Sequence, residues 1–269
     1  MNVSIIMPLY KYNEEILKKI LEVVKKQKFK GKVEVIKVDK EMGLAESLNY
    51  GIKKSKYQIV VSLHQDCIPS DENWLQKLVN PFKDKEVILS VSKVHLPEEL
   101  WNKFDIFAKV LTLKEKGTLN PTFDGKGCAY RKKILLDVGL FNEKDFRTGG
   151  EDADMDIKLN GKGKIFYPDC TVIHMHSTNL KARLKKIKLS ANSTGTLIRI
   201  YGLNVESGYL ALLYSIPLIG MFFQALSYPF NKGLRLYPVY LLVMPLAHYA
   251  QVIGFWKGFI SKKQTIRSY

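Results

Sequence analysis

Acidic residues and histidines occur at several places in the chain where they could contribute to one site. Asp66 follows the segment LHQ, Glu151 and Asp152 stand side by side, and His174 and His176 follow an apolar stretch. Carboxylates and imidazoles bind divalent cations and transfer protons near neutral pH. These segments are far apart in sequence, so any shared chemistry depends on the fold that brings them together.

The first 80 residues alternate between patterns typical of strands and of helices. Strands are predicted at 3–9, 33–39 and 58–64, and helices at 13–27, about 43–54 and 71–82. This order predicts an α/β fold with a mostly parallel, doubly wound sheet. Ligands of such sheets bind at the carboxyl ends of the strands. Pro8, Tyr10, Asp39 and His64–Asp66 lie at these ends.

The middle of the chain is less regular but contains three further signals. A strand is predicted at 87–94, and residues 125–143 look like a glycine loop leading into a short helix. Residues 149–163 place acidic residues at a helix start, where carboxylates are favourable. The segment 164–177 is predicted to be one strand that ends in the two histidines.

The C-terminal third has the composition of a membrane-associated segment. Residues 180–189 form a basic amphipathic helix suited to anionic headgroups. The runs 207–231 and 236–256 carry no Lys, Arg, Asp or Glu, and each exceeds the ~20 residues that cross a bilayer core. We expect them to insert as an antiparallel hairpin, by spanning or by re-entry; the alternative is a pair of buried core helices.

The surplus of basic residues agrees with this membrane prediction. The formal net charge is +16, which favours anionic partners or a solvated lysine-rich surface. Lysine and arginine flank the hydrophobic runs, so the N-terminal domain and the C-terminal tail are expected on the cytoplasmic side. Nucleic-acid binding is not expected, because the basic segment adjoins apolar runs and not aromatic stacking platforms. No G-x-G-x-x-G follows the first strand, which argues against a dinucleotide-dependent oxidoreductase.

Seven motifs in order, across roughly residues 3–177, resemble glycosyltransferase family 2, whose members have the GT-A fold. The motifs are VSIIMPLY, VIKVDK, GLAESLNYGI, LHQDCIPSDENWLQKLV, GCAYRKKILLDVGLFNE, GGEDADMDIKL and TVIHMHS. The predicted organisation is a GT-A catalytic domain at 1–178, a basic juxtamembrane segment at 179–205, two hydrophobic helices at 206–260 and a basic tail at 261–269. The C-terminal hairpin would thus tie the catalytic domain to a membrane.

The resemblance implies inverting transfer of a sugar from a nucleotide-diphosphate sugar. By this resemblance Asp152 is the general base, and Glu151 orients the acceptor or supports the base. Asp154 and Asp156 are expected to be solvated or to cap the helix. Asp66, with His174 or His176, would hold Mn²⁺ or Mg²⁺ on the diphosphate. The residues expected to bind the nucleotide sugar are Pro8, Tyr10, Asp39, Gly43, Asn49, His64 and Gln65.

The sequence also departs from the family pattern. His64 replaces the first aspartate of Asp-x-Asp, and other common residues are replaced by Lys40, Leu48 and Lys11. These changes concern which nucleotide is bound and how tightly a metal is held, and not the fold. The Gln-x-x-Arg-Trp motif of processive members is absent, so transfer of single sugars is expected. GFWKGF resembles the C-terminal membrane segment of members that act on lipid-linked or cell-surface glycans. The alternative is a non-catalytic, membrane-bound GT-A-like protein that binds a partner.

Overall fold

The computed structural model of the protein describes residues 1–117, 119–120, 123, 125–175 and 179–261. The N-terminal part begins with β1 (Val3–Leu9), α1 (Glu14–Lys25), β2 (Val33–Asp39), α2 (Leu44–Lys54), β3 (Ile59–Ser62), β4 (Cys67–Pro69), α3 (Trp74–Val79), β5 (Val87–Val91) and β6 (Lys93–His95). A 3₁₀ turn at Asn80–Lys83 follows α3. The predicted strand at 87–94 is therefore two short strands.

The chain continues through short helices and strands into the C-terminal helices. These elements are α4 (Glu98–Trp101), α5 (Ile106–Leu111), β7 (Leu119–Asn120), β8 (Cys128–Arg131), α6 (Lys132–Asp137), α7 (Glu151–Leu159), β9 (Lys164–Phe166) and β10 (Thr171–His174). The C-terminal helices are α8 (Leu180–Tyr201), α9 (Gly208–Tyr214), α10 (Ile219–Leu226), α11 (Phe230–Gly233) and α12 (Tyr237–Ile260), with a 3₁₀ turn at Leu234–Leu236 before α12.

The main sheet is mixed and has the strand order β2-β1-β3-β8-β5-β9. Strands β2, β1 and β3 are parallel, as predicted, but β8 is antiparallel to both β3 and β5. The register pairs Ser62 and Val91 with Cys128, so β3 and β5 end where β8 begins. The segment that follows β5 lies at this edge, and the chain therefore re-enters the sheet in the opposite direction. The doubly wound, mostly parallel prediction missed this strand.

A smaller sheet, ordered β4-β10-β6-β7, lies beside the main one. The prediction of one strand at 164–177 is wrong, because β9 pairs with β5 in the main sheet whereas β10 pairs with β4 and β6. Residues 167–170, which include Pro168, separate the two strands. The division allows β10 to run beside the start of β4.

Alternating residues of β1 supply two cores, one on each face of the main sheet. Ile5 and Met7 pack with α1 and α3, whereas Ile6 packs with α2, α7 and the strand β8. Asn13 caps the start of helix α1, and its side chain accepts the backbone N–H of Ile16 at 3.1 Å. This arrangement fixes the carboxyl ends of β1 and β3 at one edge of the domain.

The C-terminal helices differ from the predicted hairpin. One helical segment, Phe230–Ile260, has the length and apolar composition to cross a membrane, among the residues that the structure describes. The first hydrophobic run is not one helix, since α9 and α10 meet at a bend of 111°. Pro217 lies in the bend, and a proline interrupts helical hydrogen bonding. The first run can contribute only a broken span or a re-entrant loop.

Helix α8 is longer and more deeply packed than the predicted surface segment at 180–189. It extends to Tyr201 and runs beside α12 in the same direction, with Gly254 against Lys188 and Gly258 against Asn192. Glycines let the two backbones approach, because any Cβ at Gly254 or Gly258 would collide with the backbone of α8. The first turns of α8 keep exposed lysines, but Arg183 is buried.

Candidate active site

The ends of β1 and β3 are joined by one side chain at the carboxyl edge of the sheet. The backbone N–H of Tyr10 donates to Gln65 Oε1 at 2.7 Å, and Gln65 Nε2 donates to the Tyr10 carbonyl at 2.8 Å. A cleft opens at this junction, and among the predicted nucleotide-sugar residues it is lined by Pro8, Tyr10, His64 and Gln65, together with Asp66. Four of the predicted binding residues therefore share one cavity.

Asp39 and Gly43 lie on the neighbouring elements β2 and α2. Asp39 is the last residue of β2, exposed and in register with Leu9 of β1. Gly43 precedes the first turn of α2 and lies against the backbone of Arg147, so no larger side chain fits there. Neither residue lines the cleft described above, but both lie at the same edge of the sheet.

Asn49 has a structural position instead of a place in the cleft. It is buried on α2, and its Nδ2 donates to the Phe141 carbonyl at 2.9 Å and to Glu143 Oε2 at 2.8 Å. Its Oδ1 accepts the Phe141 N–H at 3.0 Å. The amide therefore anchors the loop after α6 to α2.

Two of the predicted metal ligands meet at the junction of the sheets. His174 Nε2 lies 3.0 Å from Asp66 Oδ2, and the pairing of β10 with β4 places His174 opposite Cys67. The ligand atoms of Asp66, Cys67 and His174 all lie within 4.8 Å of one another. An oxygen and an imidazole nitrogen suit Mn²⁺, whereas the Cys67 thiol is a soft ligand for softer metals. The other predicted histidine, His176, lies outside the described residues.

The electrostatics of this pair favour an ionised carboxylate and a neutral imidazole. Burial opposes ionisation of Asp66, but the hydrogen bond with His174 and the positive charge of Lys126 outweigh it and lower the pKa of the Asp66 carboxyl below its usual value. Burial lowers the pKa of His174, with Lys126 and Lys186 adding to the effect, although Asp66 acts in the opposite direction. A negative oxygen beside an uncharged nitrogen is the combination that binds a divalent cation.

A two-glycine turn presents the acidic start of α7 to the same region. Gly149 and Gly150 both have positive φ, at 82° and 88°, which is the left-handed conformation that glycine adopts readily. Ser193 of α8 donates from its Oγ to the Gly149 carbonyl at 2.7 Å. A Cβ at Gly150 would press on Ser193 and Phe146. Helix α8 therefore fixes the backbone from which Glu151 and Asp152 emerge.

Glu151 and Asp152 differ in exposure. Glu151 is 4% exposed, and burial together with neighbouring Asp152 raises the pKa of its carboxyl well above the usual range. Asp152 is only partly buried, and its Oδ1 accepts the N–H of Ala153 at 2.8 Å. A Cβ at Gly125 would lie 3.8 Å from both Asp152 Cβ and His64 Nε2, so the loop before β8 lies between the acidic helix and the cleft.

Other residues of the region were not predicted from the sequence. Lys126 lies near Asp66, Glu151 and His174, and it lowers the pKa of all three. The prediction that Asp154 is solvated or caps the helix is wrong: it is fully buried and bound by Tyr201 Oη and Lys158 Nζ, both at 2.7 Å. A lysine after a glycine is too common a pattern to single out Lys126 by sequence.

The comparisons with known proteins identify the class. Residues 15–139 match the family model of glycosyl transferase family 2. No curated protein matches the chain by sequence. The structure resembles that of the mannosyltransferase PcManGT from Pyrobaculum calidifontis in complex with GDP-Man and Mn²⁺, with a TM-score of 0.57 and 12% identity over 95% of this chain and 87% of that one.

A second solved structure, GalNAc-T7 with UDP, GalNAc and Mn²⁺, is similar with a TM-score of 0.50 and 15% identity over 85% of this chain and 58% of that one. At these identities both neighbours establish the fold alone. The protein has a GT-A fold with a long apolar helix at its C-terminal end. It carries a glycosyltransferase family 2 domain. The matched segment includes Asp66 but ends before Glu151 and His174.

Proposed function

We propose that the protein transfers a single sugar, with inversion, from a nucleotide-diphosphate sugar to a hydroxyl or phosphate acceptor at a membrane surface. The observation that carries the proposal is the convergence of the Asp66–His174 pair and the Glu151–Asp152 helix start around the cleft at the ends of β1 and β3. The two neighbours, solved with GDP-Man and with UDP and GalNAc, support the donor class.

The nucleotide sugar would lie along the edge formed by β1, β2 and β3. Asp39 is exposed at the end of β2, where its carboxylate can accept a hydrogen bond from a ring N–H of uracil or guanine. Tyr10, His64 and Gln65 line the cleft beside Asp66. In this placement the nucleobase of the donor lies at the end of β2, and its diphosphate lies at the Asp66–His174 pair.

Asp66 and His174 are the residues that would hold a divalent cation. When bound, Mn²⁺ or Mg²⁺ neutralises the charge that develops on the diphosphate leaving group. The partners fit such an ion, because the lowered pKa values of the Asp66 carboxyl and of His174 favour an ionised oxygen and a neutral imidazole. Lys126 adds positive charge to the same region, which favours an anionic diphosphate there.

Asp152 would accept the proton of an acceptor hydroxyl during attack. The acceptor oxygen forms a bond to the anomeric carbon as the bond from that carbon to the diphosphate oxygen breaks, and the nucleoside diphosphate leaves with the bonding electrons. The attack comes from the face opposite the leaving group, so the configuration inverts. A phosphate acceptor is already ionised and does not need the base.

Glu151 would act in its protonated form. Its raised pKa makes the buried carboxyl a hydrogen-bond donor near neutral pH, and its Oε2 has no partner among the residues that the structure describes. A donor beside Asp152 can orient an acceptor oxygen. This division of roles assigns the proton transfer to the more exposed carboxylate and the positioning to the buried one.

The C-terminal helices support an acceptor at a membrane, with the catalytic domain on the cytoplasmic side. Most of the large apolar side chains that are exposed lie beyond residue 200, and they include Leu218 at 74% and Leu242 at 75% exposure. Large exposed apolar surfaces mark membrane or protein contacts. The lysines of α8, among them Lys181 and Lys185, are exposed and can face anionic headgroups.

The test is transfer by the full-length protein in membranes against a panel of nucleotide sugars. Products are identified by mass, and the anomeric configuration is determined by NMR. Metal-dependent release of nucleoside diphosphate from one donor, with a product of inverted configuration, is the expected result. If nucleotide sugars bind but no nucleoside diphosphate is released with any acceptor tested, the non-catalytic alternative is favoured. A product with retained anomeric configuration would contradict the role assigned to Asp152.

A further inference from the structure

Arg183 is a buried arginine with part of its hydrogen-bonding capacity unused. It is 5% exposed on α8, and its Nη2 donates to Glu115 Oε1 at 2.7 Å. Its Nε and Nη1 find no acceptor among the described residues. Buried polar groups almost always have partners, and each unpaired donor costs about 1–3 kcal/mol. The two donors therefore point to a ligand that the described part of the chain does not supply.

The missing partner is an anion with several oxygens. The planar fork of a guanidinium matches phosphate and carboxylate groups, and Arg183 already has one carboxylate in Glu115. Lys186 follows three residues later on the same face of α8 and lines the same cleft of about 400 Å³. The cleft is also bounded by Leu111 of α5 and Phe255 of α12. Two cations on one wall favour a phosphoryl group.

The basic cleft lies beside the catalytic centre. Lys186 has its pKa lowered to about 8, by burial and then by Lys126 and Arg183, while Glu115 and Asp66 act in the opposite direction. Lys186 in turn lowers the pKa of His174. Helix α8 begins at Leu180, six residues after β10 ends at His174, so the first turns of α8 that line the cleft follow closely on the predicted metal ligand. The crowding of positive charge there is relieved when an anion binds.

The other end of the cleft leads towards the apolar helices. A second cleft of about 310 Å³ shares Leu111, Ile187 and Gln251 with the first and reaches Tyr214 and Ala247. These residues belong to α9 and α12, the elements whose outer faces expose large apolar side chains. A ligand that occupies both clefts has an anionic head near the active site and an apolar chain that runs to the membrane-facing helices.

We propose that Arg183 and Lys186 bind the phosphoryl group of a lipid-linked acceptor, whose hydrocarbon chain lies in the adjoining cleft between α5, α9 and α12. The inference deepens the proposed function and rests on it, because the bound lipid phosphate is an acceptor only if the protein transfers a sugar. Arg183 holds the phosphate oxygens with its Nε and Nη1, and Glu115 fixes the guanidinium from the other side. The site thus selects acceptors that carry both a phosphate and a chain.

The test measures binding of decyl phosphate to the full-length protein in a non-ionic detergent by calorimetry. Arg183→Gln removes both free donors and is expected to weaken binding about tenfold or more, the scale of a lost charge-assisted hydrogen bond. Arg183→Lys keeps the charge but not the planar fork of donors. Its affinity for decyl phosphate is expected to lie between those of the unmodified protein and Arg183→Gln. Lys186→Gln should weaken binding several-fold. Lys19→Gln removes an exposed charge from α1 and serves as the control with unchanged affinity.

Two further probes distinguish the sources of the phosphate. Inorganic phosphate should bind much more weakly than decyl phosphate, and equal binding would remove the apolar half of the site. Phosphatidylglycerol in mixed micelles should compete poorly, and equal competition would make the ligand a bilayer lipid and not an acceptor. If Arg183→Gln binds decyl phosphate as tightly as the unmodified protein, the proposal fails. If that variant does not fold, Lys186→Gln decides, since Lys186 lines the same cleft.

Nucleotide-sugar binding, measured on the same samples without acceptor, separates this proposal from the proposed function. Loss of decyl phosphate binding in Lys186→Gln with unchanged donor binding supports the acceptor site. Failure of every nucleotide sugar to bind the unmodified protein, while decyl phosphate binds through Arg183, would overturn the proposed function, and with it the acceptor assignment. The phosphoryl-binding site itself would then remain.

Discussion

His174 Nε2 lies 3.0 Å from Asp66 Oδ2, although 108 residues separate the two in the chain. The antiparallel pairing of β10 with β4 produces this contact, because it sets His174 opposite Cys67. Both residues therefore lie on or beside paired strands, where backbone hydrogen bonds fix their positions. Sites on strands hold ligands more accurately than sites on loops. The pair is consequently preformed, as a metal site requires.

Removing the Asp66 carboxylate is expected to abolish metal-dependent transfer. Asp66→Asn deletes the negative charge that a divalent cation needs, and the lost stabilisation of several kcal/mol corresponds to a decrease of about 10²–10³-fold in kcat. Transfer is measured over a titration of Mn²⁺ and in excess chelator. Asp169→Asn, an exposed carboxylate that precedes β10, is the control and should behave as the unmodified protein. Undiminished transfer in chelator contradicts the metal assignment.

Asp152→Asn is expected to remove the general base while preserving shape. The rate of transfer to a hydroxyl acceptor should fall about 10²–10⁴-fold, the scale of general base catalysis. Binding of the nucleotide sugar should change little, because this side chain serves the acceptor. Asp156→Asn, one turn later on α7, is the matched control. Near-normal turnover of Asp152→Asn would show that another group takes the proton or that the acceptor is a phosphate.

Glu151 is expected to make stability depend on pH. Its pKa is raised by burial and by Asp152, so between the ordinary glutamate range and the raised value the folded protein holds a proton that the unfolded chain has released. Stability from this group is therefore greatest at acidic pH and falls as pH rises through that window. Glu151→Gln should flatten the dependence of Tm on pH and raise Tm at the alkaline end.

The control for this measurement is Glu14→Gln, which changes the corresponding first helical residue of α1 at an exposed position. Its profile of Tm against pH should follow that of the unmodified protein. If Glu151→Gln also follows the unmodified profile, the carboxyl is ionised at neutral pH and cannot donate a hydrogen bond to an acceptor.

The two-glycine turn before Glu151 offers a test of how α8 positions the acidic helix. Gly150→Ala places a Cβ against Ser193 and Phe146 in a backbone of φ 88°. Gly139→Ala has a similar φ of 84° but meets nothing within 4 Å. Both should lose about 1–2 kcal/mol of stability from the left-handed backbone. Only Gly150→Ala should also lower kcat, measured at a temperature where both variants are folded; equal kcat values would argue against positioning by α8.

Hydrophobic patterning was sufficient to predict β1, α1, β2 and α2, whose bounds differ from the predicted ones by two residues or fewer. Each of these elements packs one face against the sheet or the core, so its apolar residues recur in the sequence at the spacing typical of a helix or a strand. Strand β8 was missed because four residues after a glycine loop carry too little pattern. Its direction depends on where the chain re-enters the sheet, which no local signal records.

Site residues that belong to a sequence motif could be predicted, whereas residues whose role depends on tertiary packing could not. Asp66, His174, Glu151 and Asp152 belong to segments whose order resembles a family, and the structure brings Asp66 to His174. Arg183 was treated as one of several surface cations, since a basic helix looks the same whether one of its residues is buried or not. Only the packing of α8 beside α12 distinguishes it.

The last prediction concerns the membrane. Leu242, Leu246 and Tyr249 of α12 are 75%, 52% and 67% exposed, and their spacing of four and three residues places them on one face of the helix. Exposure of such a face to water is costly, at about 25 cal/mol per Å² of apolar surface. The face is therefore expected to lie in lipid. Alkaline carbonate should leave the full-length protein in the membrane pellet.

Point variants test this better than truncation. A chain that ends at Tyr201 would uncover the buried face of α8 around Gly195, so its solubility would report lost packing as well as lost membrane contact. Leu242→Lys and Leu246→Lys leave the α8 contact intact and each cost about 2.5–3.5 kcal/mol at the centre of a spanning helix. The double variant should be released by carbonate in a much larger fraction. Leu136→Lys, at a leucine of α6 that is 49% exposed, should stay in the pellet. If carbonate releases the unmodified protein quantitatively, α12 is a core helix of a soluble assembly, and its exposed face is covered by protein instead of lipid.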